Sequence, residues 1–159
     1  MECDLNTTIV LEQQLQKKPK GSFLLVDDDK DEHGLFKIAM DALHLDNKFI
    51  SFYNGMDTLN YLKKTSDDIF VIFSDINMPK MDGLELKRMI DGLPEIKVKA
   101  IPFFFHSNAG SPAEIRAAYT LNIQGYLKKA TSIDGTVESL KKIVALWTDC
   151  IHLKDLKYN

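Results

Sequence analysis

A chain of 159 residues, with 45% apolar and 27% charged residues, has room for one hydrophobic core and is too short for two ordinary domains. Its formal net charge of −3 argues against nucleic acid as a main partner, because binding to phosphate backbones requires clustered Lys and Arg side chains. No apolar run approaches the length of a membrane span and no signal peptide is evident, so a membrane protein is excluded and a cytoplasmic protein is expected.

Residues 1–21 are predicted to be a loosely ordered N-terminal extension. Their apolar residues are scattered, and the segment ends in the basic, helix-breaking run K-K-P-K-G. The alternative is that Leu11–Lys18 forms a short amphipathic helix that contacts a partner or a second copy of the chain, which leaves a homodimer open.

The remainder of the chain alternates short apolar runs with amphipathic segments. Runs of roughly four to eight residues bounded by turn signals are typical of buried strands. Five strands are predicted, at Phe23–Val26, Lys48–Tyr53, Ile69–Phe73, Ile101–His106 and Gln124–Lys128.

Helical spacing and capping signals predict five helices that follow these strands. They are a first helix with Leu35, Ile38, Ala39 and Leu43 on one face, a second capped by Asn54, a third from about Gly83 to Ile90, a fourth from Ser111 to about Leu121, and a last helix with Val137, Leu140, Ile143, Val144 and Trp147 on one face. The segment 92–99 is expected to be a loop, because it combines Gly and Pro with charged residues. Alternation of this kind predicts an α/β fold, a mostly parallel sheet between two helical layers.

Carboxylates follow two of the predicted strands. Asp27 and Asp28 come directly after the first strand, and Asp75 comes directly after the third. If these strands are neighbours, the carboxylates converge, and two such groups about 4 Å apart repel by roughly 4 kcal/mol at an effective dielectric constant near 20. A hard divalent cation such as Mg²⁺ would compensate this charge. Aspartates that only cap turns are the alternative, but carboxylates at two strand ends favour a functional site.

A metal ion beside a free carboxylate suits phosphoryl transfer, because the carboxylate can attack phosphorus to give an acyl phosphate. Such a site is helped by a hydroxyl group and a fixed cation that bind the phosphoryl oxygens. Ser107, after the fourth strand, is the candidate hydroxyl, and Lys128 or Lys129, at the end of the fifth, is the candidate cation. His106 is expected to be a hydrogen-bonded strand residue without a catalytic role.

Four short motifs, at the ends of the first, third, fourth and fifth predicted strands, resemble those of two-component receiver domains, in particular the stand-alone, chemotaxis-type response regulators. They are V-D-D at 26–28, S-D-I-N-M-P-K-M-D-G at 74–83, H-S at 106–107 and G-Y-L-K-K at 125–129. The resemblance covers residues 22–148, which leaves 149–159 as a C-terminal tail. It implies a flavodoxin-like, doubly wound αβα fold with strand order 2-1-3-4-5 and five helices, and a site at the point where the strand order reverses.

The resemblance also implies roles for the acidic residues. Asp75 is expected to be the phosphoacceptor. Mg²⁺ would be held by Asp28, by Asp75, by the backbone carbonyl of Asn77 and, through water, by Asp27. Asn77 and Ala109 match two variable positions that adjust the rate of dephosphorylation in the family.

Three further residues match the family's switch and cation positions. Ser107 matches the switch hydroxyl, Tyr126 matches the aromatic residue whose rotation reports phosphorylation, and Lys129 matches the lysine that pairs with the phosphoryl group. Lys128 is one residue out of register and should point to the other face. Family members usually have Pro after the lysine, often with a cis bond; the chain has Ala130, so this peptide bond is expected to be trans or else strained.

The predicted function is therefore that of a stand-alone response regulator. A histidine kinase or histidine phosphotransfer protein would donate the phosphoryl group, and a downstream protein would bind the face made by the fourth helix, fifth strand and last helix, about residues 111–149. The chain would assist only its own phosphorylation and dephosphorylation, so no substrate-processing enzyme is expected. The alternatives are a phosphorylation-independent adaptor with the receiver fold, and a phosphatase or phosphotransferase that uses the Asp-x-Asp at 27–29.

Overall fold

A five-stranded parallel sheet forms the centre of the protein, as seen in a computed structural model that describes residues 18–108 and 110–152. Its strands are β1 (Ser22–Val26), β2 (Phe49–Phe52), β3 (Ile69–Ser74), β4 (Phe103–Ser107) and β5 (Gly125–Lys128). Their spatial order is β2-β1-β3-β4-β5, and every neighbouring pair is parallel. The predicted fold class and strand order are confirmed.

Six helices surround the sheet in the described part of the chain, one more than predicted. They are α1 (Lys30–Ala42), α2 (Gly55–Lys64), α3 (Gly83–Gly92), α4 (Pro94–Lys97), α5 (Pro112–Tyr119) and α6 (Ile133–Asp149). None of them is both long and apolar enough to cross a membrane. The structure does not describe residues 1–17 of the predicted extension or residues 153–159 of the predicted tail. The predicted domain boundaries therefore stay predictions.

The extra helix, α4, replaces part of the loop predicted for segment 92–99. Pro94 occupies its first turn, where the missing N–H of proline costs no helical hydrogen bond. Ile96 is only 1% exposed, so burial of this side chain holds the turn against the core. The prediction was wrong because it treated Pro94 as a helix breaker and did not expect Ile96 to be buried among charged residues.

The side chains of the sheet pack into two cores, one on each face. Strands β1 and β3 are buried along their whole length, as expected for central strands covered on both faces by helices. One core includes Leu24, Ile72 and Phe105, and the other includes Phe23, Phe73 and Phe104. The predicted core face of α1 was wrong at Ile38, which is 49% exposed, because the buried positions of that helix are His33, Phe36, Ala39 and Met40.

Caps fix the helices that begin beside the carboxyl ends of the strands. The side chain of Asp82 accepts from the backbone N–H of Glu85 at the start of α3, at 2.7 Å. At the start of α5, Ser111 and Glu114 form a capping box, in which each side chain accepts from the backbone N–H of the other residue. These caps place the helix N-termini and their connecting loops around the edge where β1, β3, β4 and β5 end.

Candidate functional site

The ends of β1 and β3 bring two of the predicted aspartates together at the middle of the sheet. The backbone N–H of Asp75 donates to the carbonyl of Val26 at 2.8 Å, and that of Asp27 donates to the carbonyl of Phe52 at 3.0 Å. Asp27 is fully buried and Asp75 is 8% exposed, whereas Asp28 is exposed. Parallel strand pairing therefore places the buried carboxylates of Asp27 and Asp75 next to the exposed carboxylate of Asp28, at the point where the strand order reverses.

Asp75 is held by contacts to both of its carboxylate oxygens. Oδ1 accepts a hydrogen bond from the backbone N–H of Ile76 at 2.7 Å and another from the Ser107 hydroxyl at 2.6 Å. Oδ2 lies 3.2 Å from Nζ of Lys129. The carboxylate is thus fixed in orientation by groups from the ends of β3, β4 and β5.

Lys129 is the cation of the site, and Lys128 is not. Nζ of Lys129 lies 2.6 Å from Oδ2 of Asp27, an ion pair without hydrogen-bond geometry, and the Lys129 side chain is only 6% exposed. The backbone N–H of Lys129 donates to the carbonyl of Ser107 at 2.9 Å, which ties the end of β5 to that of β4. Burial alone would lower the pKa of Lys129, but its pairing with Asp27 and Asp75 outweighs this effect and raises the pKa, so the ammonium stays charged. Lys128 is exposed on the other side of the strand end.

Three carboxylates offer a donor set for a divalent cation. One oxygen each from Asp27, Asp28 and Asp75 lies within 4.8 Å of the others. Burial raises the pKa of Asp27 although Lys129 opposes the shift, and Oδ2 of Asp27 lacks a well-oriented hydrogen bond. Carboxylate oxygens that converge in this way are the ligands that Mg²⁺ and similar hard cations prefer, so the residues present fit such an ion.

The remaining predicted site residues lie around this centre. Asn77 is exposed. Tyr126 is half-buried on β5, with its hydroxyl 3.4 Å from the carbonyl of Asn108, the residue after β4. Ala109 lies outside the described residues. Their predicted roles in metal binding, switching and dephosphorylation stay predictions.

The loop after Lys129 keeps an ordinary backbone despite the departure from the family pattern. No peptide bond among the described residues is cis, so the bond before Ala130 is trans. Lys129 nevertheless reaches both aspartates. The proline that family members usually have here is not needed to bring this lysine into the site.

Two residues near the site were not identified as candidates from the sequence. Glu32, in the first turn of α1, has a carboxylate oxygen within 4.8 Å of Asp27 and of an imidazole nitrogen of His106. His33 contacts Asp27 through its Nε2, 2.8 Å from the carbonyl oxygen. No local sequence signal marks Glu32, because its place beside the site depends on how α1 packs against the sheet.

The same surroundings predict a pH-dependent stability that arises from His106. Burial and the nearby Lys129 ammonium lower the pKa of His106 from 6.5 to about 4. On acidification the unfolded chain therefore takes up this proton first, so stability is fully present above about pH 6.5 and is lost as the pH falls toward about 4. We expect this group to contribute a slope of about 1.4 kcal/mol per pH unit within that window.

Urea unfolding of wild type and His106→Leu at several pH values between 7 and 4 would measure this slope. The raised pKa values of Asp27 and Glu32 act in the opposite direction, and they are present in both proteins. The variant should lose less stability on acidification than wild type. A matched control is His44→Asn, an exposed position with φ of 53° that Asn accommodates. Parallel pH profiles for wild type and His106→Leu would contradict the prediction.

Comparison with known proteins matches residues 23–141 to the response regulator receiver domain family. The response regulator Rcp1 of Synechocystis is 24% identical over 143 residues, which cover 87% of this chain and 96% of Rcp1. A chemotaxis protein CheY homolog of Campylobacter jejuni is 26% identical over 121 residues, which cover 76% of this chain and 90% of the homolog.

Solved structures show the same fold. The phosphorylated cyanobacterial phytochrome response regulator RcpA superposes with a TM-score of 0.71 and 24% identity, over 82% of this chain and 95% of its own. The Mn²⁺-bound form of Rcp1 gives a TM-score of 0.70 and 23% identity, over 84% and 98%. The matched segment contains β1 to β5 and the acidic residues between them, and the chain therefore belongs to the response regulator receiver domain family, the receiver modules of two-component signalling.

Proposed function

We propose that the protein is a response regulator that accepts a phosphoryl group from a phosphohistidine partner onto Asp75, in a reaction that requires Mg²⁺. The observation that carries the proposal is the placement of the Asp75 carboxylate between the hydroxyl of Ser107 and the ammonium of Lys129. The carboxylates of Asp27 and Asp28 lie beside it. Receiver domains are signalling proteins and bind a divalent metal, which agrees with this donor set.

Phosphoryl transfer in this site forms one bond and breaks one. A carboxylate oxygen of Asp75 forms a bond to phosphorus while the phosphorus–nitrogen bond of the donor breaks, and the donor imidazole keeps the electron pair and takes up a proton. Asp28, Asp75 and the carbonyl of Asn77, with Asp27 acting through water, would hold Mg²⁺, and the bound ion would compensate the negative charge of the phosphoryl group. Lys129 supplies a second positive charge to the phosphoryl oxygens, and it is already in position.

A surface change follows from the new charge. Ser107 now donates to Oδ1 of Asp75, and phosphorylation replaces this acceptor by phosphoryl oxygens that carry more charge. We propose that Ser107 turns toward them and that Tyr126 follows into the space beside β4. The population then shifts toward a state with an altered α5–β5–α6 face, which a downstream protein binds.

The test is incubation of the full chain with acetyl phosphate or phosphoramidate, with Mg²⁺ or with a chelator, followed by intact mass measurement. We expect the gain of one phosphoryl group in the presence of Mg²⁺ and none with the chelator. Release of the group by hydroxylamine would identify an acyl phosphate. No gain under either condition would overturn the proposal and favour the adaptor alternative, and turnover of a generic phosphate monoester would favour a phosphatase.

A further inference from the structure

His106 has a buried ring nitrogen whose hydrogen-bonding capacity is unmet. The residue is 4% exposed, and its Nδ1 has no hydrogen-bond partner among the described residues. The ring packs against Phe36 and Phe73, with centroid distances of 5.9 and 6.5 Å. A buried polar atom without a partner destabilises the fold, so aromatic packing alone does not account for an imidazole at this position.

The imidazole is also kept in the form that binds metals. Burial and the Lys129 ammonium lower the pKa of His106 to about 4, so the ring is neutral at neutral pH. A neutral imidazole has a free lone pair on one nitrogen, which is the requirement for coordination to a metal ion.

Two carboxylates lie next to this imidazole. An oxygen of Asp27, an oxygen of Glu32 and a ring nitrogen of His106 all lie within 4.8 Å of one another. They come from three elements, since Asp27 follows β1, Glu32 lies in the first turn of α1, and His106 is on β4. Ligands of a tetrahedral ion, at metal–ligand distances of about 2.0–2.2 Å, stand about 3.4 Å apart, so small side-chain movements would complete such a set.

Glu32 is not committed to capping its own helix. The backbone N–H of Asp29 donates to Oδ1 of Asp27 at 2.9 Å, which takes the donor that a capping-box glutamate would use. The side chain of Asp29 accepts from the N–H of Asp31. Glu32 is half-buried, and burial raises its pKa. The Glu32 carboxylate is therefore available to bind a cation.

We propose that Asp27, Glu32 and His106 form a binding site for a Zn²⁺-class transition metal ion, beside the predicted Mg²⁺ site and distinct from it. Imidazole nitrogen and carboxylate oxygen are both ligands of Zn²⁺, whereas Mg²⁺ prefers oxygen ligands alone. Three protein ligands leave the fourth position to water. The site goes beyond the proposed phosphoryl transfer and does not depend on it.

The shared residue Asp27 couples this site to the predicted Mg²⁺ site. An ion bound between Asp27 and His106 would repel the Lys129 ammonium, which now lies 2.6 Å from Asp27, and would also withdraw Asp27 from the water network of Mg²⁺. Because coupling between two binding sites is reciprocal, Zn²⁺ should weaken Mg²⁺ binding and Mg²⁺ should weaken Zn²⁺ binding by the same factor.

The site is tested by titrating Zn²⁺ into the full chain in competition with a chromophoric chelator, without any phosphoryl donor. A Cys3→Ser and Cys150→Ser background removes thiol ligands. We expect one equivalent to bind. Glu32→Gln and His106→Leu should each lower the affinity for Zn²⁺ at least about tenfold. Asp28→Asn should keep an affinity for Zn²⁺ within about threefold of the wild-type value, while its affinity for Mg²⁺ should fall about tenfold.

Two further measurements keep the result decisive. Thermal unfolding of each variant in the presence of chelator establishes that the variant is folded. If His106→Leu does not fold, the near-isosteric Glu32→Gln remains as the test variant. In wild type, the imidazole resonances of His106 should shift on addition of one equivalent of Zn²⁺. Unchanged affinity in Glu32→Gln, or an unshifted His106 resonance, would overturn the proposal. So would a loss in Asp28→Asn as large as that in Glu32→Gln, because the ion would then occupy the Mg²⁺ site.

Discussion

Asp75→Asn is expected to abolish phosphorylation by acetyl phosphate, with a rate below about one hundredth of the wild-type rate. The amide keeps the size of the side chain, and it keeps an oxygen that accepts from Ile76 and Ser107. It removes the charge that faces Lys129 and the anionic oxygen that would attack phosphorus. Intact mass measurement after incubation with the donor and Mg²⁺ would therefore show unmodified protein.

The matched control is Asp29→Asn, two residues from Asp27. Asp29 is exposed and caps α1 by accepting from the N–H of Asp31 at 2.9 Å, a function that Asn performs equally well. We expect this variant to be phosphorylated at the wild-type rate. A phosphoryl group that still appears on Asp75→Asn would mean that another carboxylate is the acceptor. Loss of activity in Asp29→Asn alone would instead favour the alternative that uses the Asp-x-Asp at 27–29.

The placement of Asp27 and Asp75 could be predicted from the sequence because it depends on local information. Each residue directly follows a short apolar run, and the carboxyl ends of neighbouring parallel strands meet at one edge of the sheet. The same reasoning places Ser107 at the end of β4 and Lys128 or Lys129 at the end of β5, and the resemblance to receiver domains selects Lys129. The 2.6 Å hydrogen bond between Ser107 and Asp75 then requires only this strand pairing and suitable conformations of the two side chains.

The position of Glu32 could not be predicted in this way, because it depends on how α1 packs across the sheet. The helix brings its first turn over the end of β4, two strands away from the strand that precedes it. The sequence of α1 does not specify this orientation clearly: the apolar residues Leu35, Phe36, Ile38, Ala39 and Met40 allow more than one buried face. The structure buries Phe36, Ala39 and Met40 and leaves Ile38 at the surface. A change in the buried face rotates Glu32 toward or away from His106.

Gly83→Ala is expected to lower the free energy of unfolding by about 3 kcal/mol and to disturb the site of phosphorylation. A Cβ atom at Gly83 would lie 2.1 Å from the carbonyl oxygen of Asp75 and 3.0 Å from Cα of Ile76. Both contacts are to backbone, so no side chain can move aside to relieve them. The N–H of Gly83 also donates to the carbonyl of Ile76 at 2.8 Å, which closes the turn after β3 at this spacing.

Helix propensity favours Ala over Gly and therefore opposes the steric cost of Gly83→Ala. The larger of the two effects decides whether the variant is less or more stable than wild type. Ala is favoured over Gly in a helix by up to about 1 kcal/mol, which is less than the expected cost of moving the backbone of Asp75. Gly92, at the other end of α3, is the matched control, because nothing lies within 4 Å of a Cβ built there. Urea unfolding should show Gly92→Ala as stable as wild type or more so, and Gly83→Ala much less stable. Equal urea midpoints of unfolding for the two variants would mean that the backbone after Asp75 shifts at little energetic cost. In that case the turn that follows Asp75 does not hold it rigidly in position.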